Sequence, residues 1–385
     1  MLYSAMRGAW LIKKPQTDGI KGARRKVRAA VCRAFGQPLC IEDLVIAAPE
    51  RKEVRVRLTA CAICHSDVMF ADGAWGGDLP AVYGHEASGV VESVGADVLD
   101  LKAGDHVVVT LIRSCGECRY CAQSVETQCE GVFQRGISTP LTDVSGNPIV
   151  QGLNSGAFAE MVVVDQSQVC AIPKNIPLDV ASILACGVLT GYGAVANTAR
   201  VSAGSSVAVI GCGGVGVNSI QAAAIAGAHS IIAIDVLDAK LELARAFGAT
   251  HVINAQREQA VERVLALTAQ HGVDFALITV GAKSAAEQAL ALLARAGTAV
   301  VVGMPASGVV AEYDPGELAS KGQSLLGSKM GSSSVKRDIP RLVDLYQCGA
   351  LKLDELISGR YRLDDINEAI ASVKRGEALR NLVIF

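Results

Sequence analysis

The sequence predicts an α/β fold with two domains, one rich in β-strands and one built on a doubly wound parallel sheet. The chain has 385 residues, enough for about two domains of roughly 100–200 residues each. Short β-type runs broken by Gly, Pro and Asp fill residues 27–164, and apolar strands alternate with helices after residue 185. That alternation is typical of a parallel sheet covered by helices on both faces.

Within the β-rich part, two strands are clear from pattern alone. Residues 54–58 alternate as V-R-V-R-L, which indicates a strand with one face in water, whereas the three valines at 107–109 indicate a buried strand. The second part is more regular. Its predicted strands are 207–210, 231–234, 251–254, 274–280, 298–303 and 324–328, and its predicted helices are 214–226, 238–247, 257–270 and 283–295.

The remaining elements define the domain boundaries. Helices are expected at 339–347 and 364–375, and a last strand at 381–385 is expected to return to the first domain. We therefore predict a metal-binding domain of residues 27–187 and 331–385, and a nucleotide-binding domain of residues 188–330. Residues 1–26 form a separate basic extension that we predict to be disordered, with a targeting peptide as the alternative.

Charge and composition exclude several classes of protein. The formal net charge is −2 and the pI is about 6.3, which argues against nucleic acid or an anionic membrane as the main partner. Residues 201–234 carry no Asp, Glu, Lys or Arg and are long enough to span a bilayer. Their six glycines favour a buried strand–turn–helix–strand instead. We predict no nucleic-acid partner, no membrane association and a cytoplasmic location.

Four closely spaced cysteines predict a metal site. Cys115, Cys118, Cys121 and Cys129 follow the pattern C-x2-C-x2-C-x7-C. Twelve cysteines in so long a chain are too sparse for a disulfide scaffold, and this clustering fits metal better. Four thiolates bind one zinc with no open position, so this site is predicted to be structural. A nucleic-acid-binding zinc module is the alternative that the acidic pI disfavours.

A glycine-rich turn predicts a dinucleotide site. Gly211, Gly213, Gly214, Val215 and Gly216 follow a predicted strand and open a predicted helix, which is the context that this motif requires. The helix N-terminus then offers free N–H groups to a pyrophosphate. Asp235 ends the next strand, where an acid binds the adenosine ribose hydroxyls and repels a 2′-phosphate. NAD is therefore preferred over NADP, with a purely structural cap as the alternative for Asp235.

A second set of soft ligands is dispersed along the sequence at Cys64, His85 and Cys186. Three ligands with a fourth position left open suit a catalytic zinc. A lone buried thiol is more often a packing residue, which is how we interpret Cys61, Cys170, Cys212 and Cys348.

The order of these motifs resembles the zinc-dependent medium-chain alcohol dehydrogenases, in their larger-subunit branch. The resemblance covers residues 27–385 and rests on C-H-S-D at 64–67, G-H-E at 84–86, the thiol cluster, C-G-V-L-T-G-Y-G at 186–193 and the glycine turn. It implies a GroES-like catalytic domain beside a Rossmann domain, two zincs and one NAD per chain, a small-molecule alcohol or aldehyde substrate, and a homodimer or homotetramer.

The resemblance also assigns roles to single residues. Cys64, His85 and Cys186 would hold the catalytic zinc, and Ser66 would pass the substrate proton toward the nicotinamide ribose. Asp67 and Glu86 would lie behind the ligands and orient them, and Glu86 could ligate transiently. Lys240 would lie near the adenosine ribose, and His65 and Arg380 would meet the pyrophosphate. For Lys240 and Arg380, a solvated surface charge is the alternative.

Departures from the family pattern bear on the substrate. Some members continue the proton relay through a histidine three residues after the serine, where this chain has Met69. The branch that oxidises S-(hydroxymethyl)glutathione has an arginine where this chain has Phe133, and Arg135 is out of register. We therefore predict oxidation of an ordinary, rather apolar alcohol, with Phe70 and Trp75 as candidate pocket residues. The alternatives are S-(hydroxymethyl)glutathione dehydrogenase, a zinc-free reductase of the same superfamily and a catalytically silent NAD-binding relative.

Overall fold

The computed structural model describes residues 23–133, 135 and 138–385. Most of the predicted basic extension, residues 1–22, lies outside the described residues. Its predicted end is two residues too late, because the first strand begins at Arg25. Arg25 pairs with Ile46 of the second strand and forms an ion pair with Glu92, so backbone pairing overrides the local excess of charge.

The β-rich region consists of a small closed barrel and a seven-stranded sheet. The barrel order is β1-β2-β7-β8-β4, and the sheet order is β10-β6-β5-β3-β18-β17 with β9 also paired to β3. The strands are β1 (Arg25–Cys32), β2 (Cys40–Ile46), β3 (Glu53–Ala62), β4 (Ala81–Val82), β5 (Glu86–Val94), β6 (His106–Val109), β7 (Leu141–Asp143), β8 (Pro148–Gln151), β9 (Met161–Asp165), β10 (Val169–Ala171), β17 (Ile357–Arg362) and β18 (Arg380–Ile384).

Helices of this region cover the sheet and carry several site residues. They are α1 (His65–Ala71), α2 (Arg119–Ala122), α3 (Leu178–Ser182), α4 (Gly187–Gly193), α10 (Val335–Gln347) and α11 (Ile366–Lys374). The predicted return of the last strand is confirmed: β18 pairs with β3 and with β17. The end of the chain therefore completes the sheet that begins near its start.

The second region is a six-stranded parallel sheet in the order β13-β12-β11-β14-β15-β16. This is the strand order of doubly wound dinucleotide-binding folds. Its elements are β11 (Ser206–Ile210), α5 (Gly214–Ile225), β12 (Ser230–Asp235), α6 (Asp238–Ala246), β13 (His251–Asn254), α7 (Ala260–Leu267), β14 (Val273–Ile278), α8 (Lys283–Ala289), β15 (Leu293–Val301), α9 (Pro315–Lys321) and β16 (Ser324–Gly327).

The predicted fold class is confirmed, and several predicted elements differ in extent: α7 is shorter than predicted, whereas α10 and β15 begin earlier. The helix predicted over 283–295 ends at Ala289, and Leu293 already belongs to β15, where it pairs with Val273. Sheet pairing overrides the helical propensity of this alanine-rich segment. All six strands of the parallel sheet lie within residues 188–330, and the strands of the barrel and of the seven-stranded sheet lie outside them. The division at these two boundaries stays a prediction.

The uncharged stretch forms β11, α5 and β12, as predicted. Among residues 23–133, 135 and 138–385, no single helix is long and apolar enough to cross a membrane. One bent pair, Leu178–Ala185 with Gly187–Ala199 at 49°, passes by length and composition. Most of its apolar side chains belong to the largest buried cluster of the molecule.

Candidate functional site

The glycine turn joins β11 to α5 at the centre of the parallel sheet. Gly211 has a φ of +93°, a region in which other residues are strained. A β-carbon at Gly216 would overlap the carbonyl oxygen of Gly211, so only glycine lets the helix approach the strand this closely. No heavy atom lies within 4 Å of a β-carbon built at Gly213. The turn thus leaves open space in front of the α5 N-terminus, which suits a pyrophosphate.

Asp235 ends β12 beside this turn. Its Oδ2 accepts a hydrogen bond from the backbone N–H of Cys212 at 2.7 Å, and its Oδ1 accepts from Val236 and Leu237 at 2.7 and 3.0 Å. The carboxylate therefore caps the glycine turn and the next turn simultaneously. These contacts fit the structural alternative without preventing a ribose contact, because Oδ2 accepts only one of these hydrogen bonds and has a second lone pair. Lys240 lies on α6 and is partly exposed.

The dispersed ligands converge into one buried cluster. The ligand atoms of Cys64, His85, Glu86 and Cys186 all lie within 4.8 Å of one another. Cys64 precedes α1 and Cys186 precedes α4, so two helix N-termini deliver the two thiols. His85 Nε2 is buried and has no hydrogen-bond partner. An orphaned imidazole nitrogen between two thiols fits a metal ion with His and Cys ligands.

Asp67 orients this cluster from behind. Its Oδ1 lies 3.0 Å from His85 Nδ1 and accepts from the N–H of Gly84 at 2.9 Å, and its Oδ2 accepts from the N–H of Cys64 at 2.9 Å. The carboxylate thus fixes the histidine ring with Nε2 toward the thiols and also holds the Cys64 backbone. Such carboxylate–histidine pairs set ring orientation at metal sites.

The residues after Cys64 take different positions on α1. Ser66 Oγ donates to Cys64 Sγ at 3.0 Å, which places the hydroxyl beside the ligand cluster. His65 is exposed at the first position of the helix, and Met69 is partly buried. Phe70 packs against the hydrophobic core of the β-rich region and stacks on Tyr83, with 5.9 Å between the ring centroids. That placement makes Phe70 a core residue rather than a free pocket wall.

Trp75 links the two regions of the molecule. Its Nε1–H donates to the carbonyl oxygen of Pro305 at 2.9 Å, and the N–H of Ser307 donates to the Ala74 carbonyl at 3.4 Å. Both acceptors and donors lie in loops, one after α1 and one after β15. Trp75 therefore closes the cleft between the β-rich region and the parallel sheet.

Arg380 bridges the ligand cluster and the glycine turn, so the surface-charge alternative is wrong for this residue. It is 5% exposed, and its Nη1 lies 3.6 Å from Glu86 Oε1. A β-carbon at Gly187 would overlap its Nη2, and one at Gly214 would lie 2.6 Å from its Cζ. The Nε and Nη2 atoms have no hydrogen-bond partner. Two buried donors beside a phosphate-cradling turn fit an anionic group of a cofactor.

Glu86 is held in a strongly perturbed environment. Burial raises its pKa to about 8, opposed by the attraction of Arg380. Neither carboxylate oxygen has a hydrogen-bond partner. The group therefore lies beside both Arg380 and the ligand set, and its orienting role stays a prediction.

The four thiols of residues 115–129 also form a compact cluster, which we call the thiol lobe. Sulfur–sulfur distances are 3.9 Å for Cys115 to Cys121 and 4.0 Å for Cys118 to Cys129. Backbone N–H groups donate to Cys115 Sγ and to Cys129 Sγ at 3.3–3.5 Å. Backbone hydrogen bonds lower the pKa of Cys118 to about 6, whereas burial raises that of Cys121 to about 12. Four sulfurs this close would repel one another if all were thiolates, so full ionisation of the lobe requires a bound cation, which the cluster fits.

Two residues near the substrate side were missed by sequence reasoning. Met330 Sδ lies 3.7 Å from both Cys186 Sγ and Thr190 Oγ1. Thr190 could have been predicted, because it lies four residues after Cys186 on the same helix face. Met330 follows β16 and reaches the cluster through tertiary packing alone. Its φ of +50° begins three consecutive residues with left-handed backbone, 330–332.

Arg135, the arginine that is out of register with the family position, is already paired and is not free to bind a ligand. Arg135 Nε and Nη2 donate to Glu53 at 2.8 and 3.1 Å, and the Arg135 side chain is 9% exposed. Arg113 instead lies over the ring of Phe133, 5.6 Å from its centroid. Phe133 occupies the position where the glutathione-dependent branch has an arginine. The guanidinium of Arg113, from another part of the sequence, stacks on the Phe133 ring.

Comparison with known proteins agrees with this geometry. Residues 50–174 match the alcohol dehydrogenase GroES-like domain, and residues 214–347 match the zinc-binding dehydrogenase family. S-(hydroxymethyl)glutathione dehydrogenase of Saccharomyces cerevisiae is 35% identical over 93% of this chain and 96% of its own length. An alcohol dehydrogenase zinc-binding domain protein from Burkholderia ambifaria superposes with a TM-score of 0.90 at 38% identity, covering 94% of this chain and 100% of that one. Benzyl alcohol dehydrogenase of Acinetobacter calcoaceticus superposes at 0.88 with 34% identity, covering 94% and 99%.

The chain belongs to the zinc-dependent medium-chain alcohol dehydrogenase family. It is an oxidoreductase that uses zinc and a nicotinamide cofactor to interconvert alcohols with aldehydes or ketones. The zinc-module alternative is therefore wrong, since the thiol lobe forms part of a dehydrogenase fold.

Proposed function

We propose that the chain oxidises an alcohol with NAD at a catalytic zinc held by Cys64, His85 and Cys186, and that the thiol lobe holds a second zinc. The convergence of three soft ligands within 4.8 Å, next to Arg380 and the glycine turn, carries this proposal. When bound, zinc would supply the Lewis acidity that favours loss of the alcohol proton, and NAD would supply the hydride acceptor. The residues of the chain would hold and orient both groups.

Ser66 is the proposed proton acceptor for the substrate hydroxyl. Its Oγ is 3.0 Å from Cys64 Sγ, so an alcohol that reaches the ligand cluster comes within range of it. A serine hydroxyl is a weak base, so it must pass the proton on toward the nicotinamide ribose. Met69 cannot continue that relay because a thioether carries no exchangeable proton. We infer that the proton leaves through the ribose to water.

Arg380 and His65 are the proposed contacts for the pyrophosphate, with the glycine turn below it. Arg380 lies within reach of both Glu86 and Gly214, so cofactor binding and the ligand cluster share one guanidinium. Asp67 keeps His85 in the tautomer that offers Nε2 to the metal. Glu86 balances the charge of Arg380 and orients the cluster.

NAD, rather than NADP, is the proposed cofactor because Asp235 places a carboxylate where a 2′-phosphate would lie. Asp235→Gly removes that repulsion, and we expect kcat/KM for NADP to rise relative to NAD by about tenfold or more. Asp235→Asn is the matched variant, because it keeps an acceptor for Cys212 while removing the charge. An unchanged cofactor ratio in both variants would show that Asp235 serves as a cap alone.

S-(hydroxymethyl)glutathione is the second candidate substrate, favoured by the yeast relative. Phe133 and the paired Arg135 argue against it. Zinc content per chain and NADH formation from a panel of alcohols, with formaldehyde plus glutathione as one member, test both candidates. A silent relative would bind zinc and NAD but give no NADH with any alcohol.

We also propose a homodimer, with a homotetramer as the alternative, in the cytoplasm. Strand β16 is the outer strand of the parallel sheet, all four of its residues are exposed, and Leu325 and Leu326 are among them. Such an apolar edge invites pairing with a second copy. All twelve cysteines are free, as a reducing compartment requires. Light scattering of the purified protein tests the dimer, and Leu326→Lys should give monomers.

A further inference from the structure

A cavity of about 340 Å³ lies between the loop after β6 and the thiol lobe. Its inner wall includes Met330, whose Sδ is 3.7 Å from Cys186 Sγ, and Ile112, which packs in the same buried cluster as Cys64. Met330 therefore lies between the cavity and the ligand cluster and contacts both. The volume of the cavity lies within the range of small-molecule sites.

The cavity wall is about half apolar and half polar. Leu111, Ile112, Val132, Phe133 and Met330 supply hydrocarbon or ring surface along it. That part of the lining favours the apolar body of a substrate. The charges of the polar part decide what the other end of a substrate can be.

Arg113 is the first of two cations in this wall. It is partly buried, and it donates to neutral acceptors: Gln168 Oε1 at 2.8 Å and the Asn154 carbonyl at 3.1 Å. Within the described part of the chain it forms no ion pair. Burial without a carboxylate partner is costly for a guanidinium, and a ligand carboxylate can supply that partner in bidentate geometry.

Lys329 is the second cation, and it is exposed at the same cavity. It also forms no ion pair with a described residue. Glu126 is the one acid among the lining residues, and its Oε1 already accepts from Ser334 Oγ at 2.7 Å. Two cations therefore face one carboxylate in this wall, a net side-chain charge of +1 (2 − 1) apart from the Cys129 sulfur of the thiol lobe.

We propose that this cavity selects alcohols whose apolar body ends in an anionic group, a carboxylate foremost, which Arg113 and Lys329 bind. The inference rests on the proposed function, because the hydroxyl end must reach the ligand cluster. The inference narrows the predicted substrate class from ordinary apolar alcohols to amphiphilic alcohols. Arg113 and Lys329 act as specificity residues and take no part in the hydride transfer.

The test compares near-isosteric alcohols on the zinc-loaded enzyme with NAD. The pair is 4-(hydroxymethyl)benzoate and 4-(hydroxymethyl)benzamide, and 6-hydroxyhexanoate with its amide repeats the comparison without a ring. We expect kcat/KM to favour each carboxylate by about tenfold, because the amide leaves the buried cation unpaired. The preference should fall with added NaCl, since salt screens the exposed lysine.

Variants locate the effect. Lys329→Met should remove most of the carboxylate preference and Lys329→Glu should reverse it, whereas Lys102→Met, an exposed lysine outside the cavity, should leave the ratio unchanged. Arg113→Gln should weaken binding of the carboxylate substrate further. The melting temperature of this variant is measured first, because Arg113 also donates a hydrogen bond to Gln168. Equal kcat/KM for acid and amide in the wild type, or a ratio that Lys329→Glu leaves unchanged, would overturn the proposal.

A binding measurement separates this inference from the proposed function. If no alcohol yields NADH, the proposed function fails, and calorimetric titration with 4-methylbenzoate and 4-methylbenzamide decides the inference alone. Tighter binding of the carboxylate that is lost in Lys329→Met supports an anion-selective cavity. Equal binding of the two, or tighter binding of the amide, rejects it.

Discussion

The two cysteine clusters of this protein are built in opposite ways. The thiol lobe takes all four sulfurs from residues 115–129, remains partly exposed and is supported by backbone amides. The ligand cluster joins Cys64 and His85 to Cys186, which lies more than one hundred residues further along the chain (186 − 85 = 101). It is buried and is supported by the side chains of Asp67 and Arg380. One site is thus set by local sequence and the other by the tertiary fold. We expect a substitution in the lobe to change stability and one in the ligand cluster to change chemistry.

The sharpest separation comes from removing one sulfur of the ligand cluster. Cys64→Ala should lower kcat/KM by about a thousandfold or more, about 4 kcal/mol of transition-state stabilisation, with one of two zincs lost. Cys61→Ala is the matched control, because Cys61 is an equally buried cysteine that contacts only backbone oxygen. Activity assays and zinc analysis of both variants check this. Full activity in a zinc-depleted Cys64 variant would remove the basis of the comparison.

Removing one sulfur of the lobe should give the complementary result. Cys121→Ala should release the lobe zinc and lower the melting temperature, on the order of 5–10 °C for a few kcal/mol of metal-linked stability. The remaining zinc and the KM for alcohol should persist. Cys348→Ala, an exposed cysteine on the surface, is the control. If Cys121→Ala keeps two zincs and melts like the wild type, the lobe is not a metal site.

The supporting groups should differ in the same direction. Asp67→Asn keeps the shape of the side chain but weakens its hold on His85, so we expect about a ten- to hundredfold loss of activity or zinc affinity. Glu117→Gln, in the lobe, should change neither, since backbone amides rather than side chains support those sulfurs. A pH profile of kcat with zinc titrations distinguishes this from general destabilisation. Equal effects in both variants would contradict the contrast.

The smallest expected effect concerns the turn that brings Met330 to the ligand cluster. Buried Asp338 accepts from the N–H of Ser334 at 2.9 Å, from Asn197 at 3.1 Å and from Arg337. Burial opposes ionisation, but the Arg337 hydrogen bond and these other donors leave the pKa of Asp338 lowered from its ordinary value of 3.8. Because the folded-state pKa lies below the unfolded-state value, the carboxylate stabilises the protein fully at pH above the unfolded-state pKa. The contribution is lost as the pH falls from there through the folded-state pKa.

Asp338→Asn should therefore cost about 1 kcal/mol of stability at neutral pH and flatten the loss of stability in acid. Melting curves between neutral and strongly acid pH, for wild type and variant, measure it. Asp344→Asn, on the same helix, is the control. Parallel curves for wild type and Asp338→Asn would show that the carboxylate does not contribute through its charge.

The same contrast explains what could be predicted from sequence. The lobe, the glycine turn and the strand–helix alternation are local patterns, so spacing and periodicity reveal them. The grouping of Cys64 with Cys186 came from resemblance to a family, because no local rule joins residues so far apart. Arg380 had a surface charge as its alternative, and only β18 pairing with β3 shows that it is buried. Arg113 and Met330 were missed because each reaches its place by tertiary packing.

The position of β18 has a consequence for folding during synthesis of the chain. This strand lies between β3 and β17, yet the ribosome synthesises it after the entire parallel sheet. The parallel sheet can therefore fold during translation, whereas the seven-stranded sheet stays incomplete until residues 380–384 have been synthesised. Arg380 arrives on that same strand. The guanidinium that joins the ligand cluster to the glycine turn is thus positioned last. We expect nascent chains that lack β18 to have a compact parallel-sheet region and an inactive β-rich region.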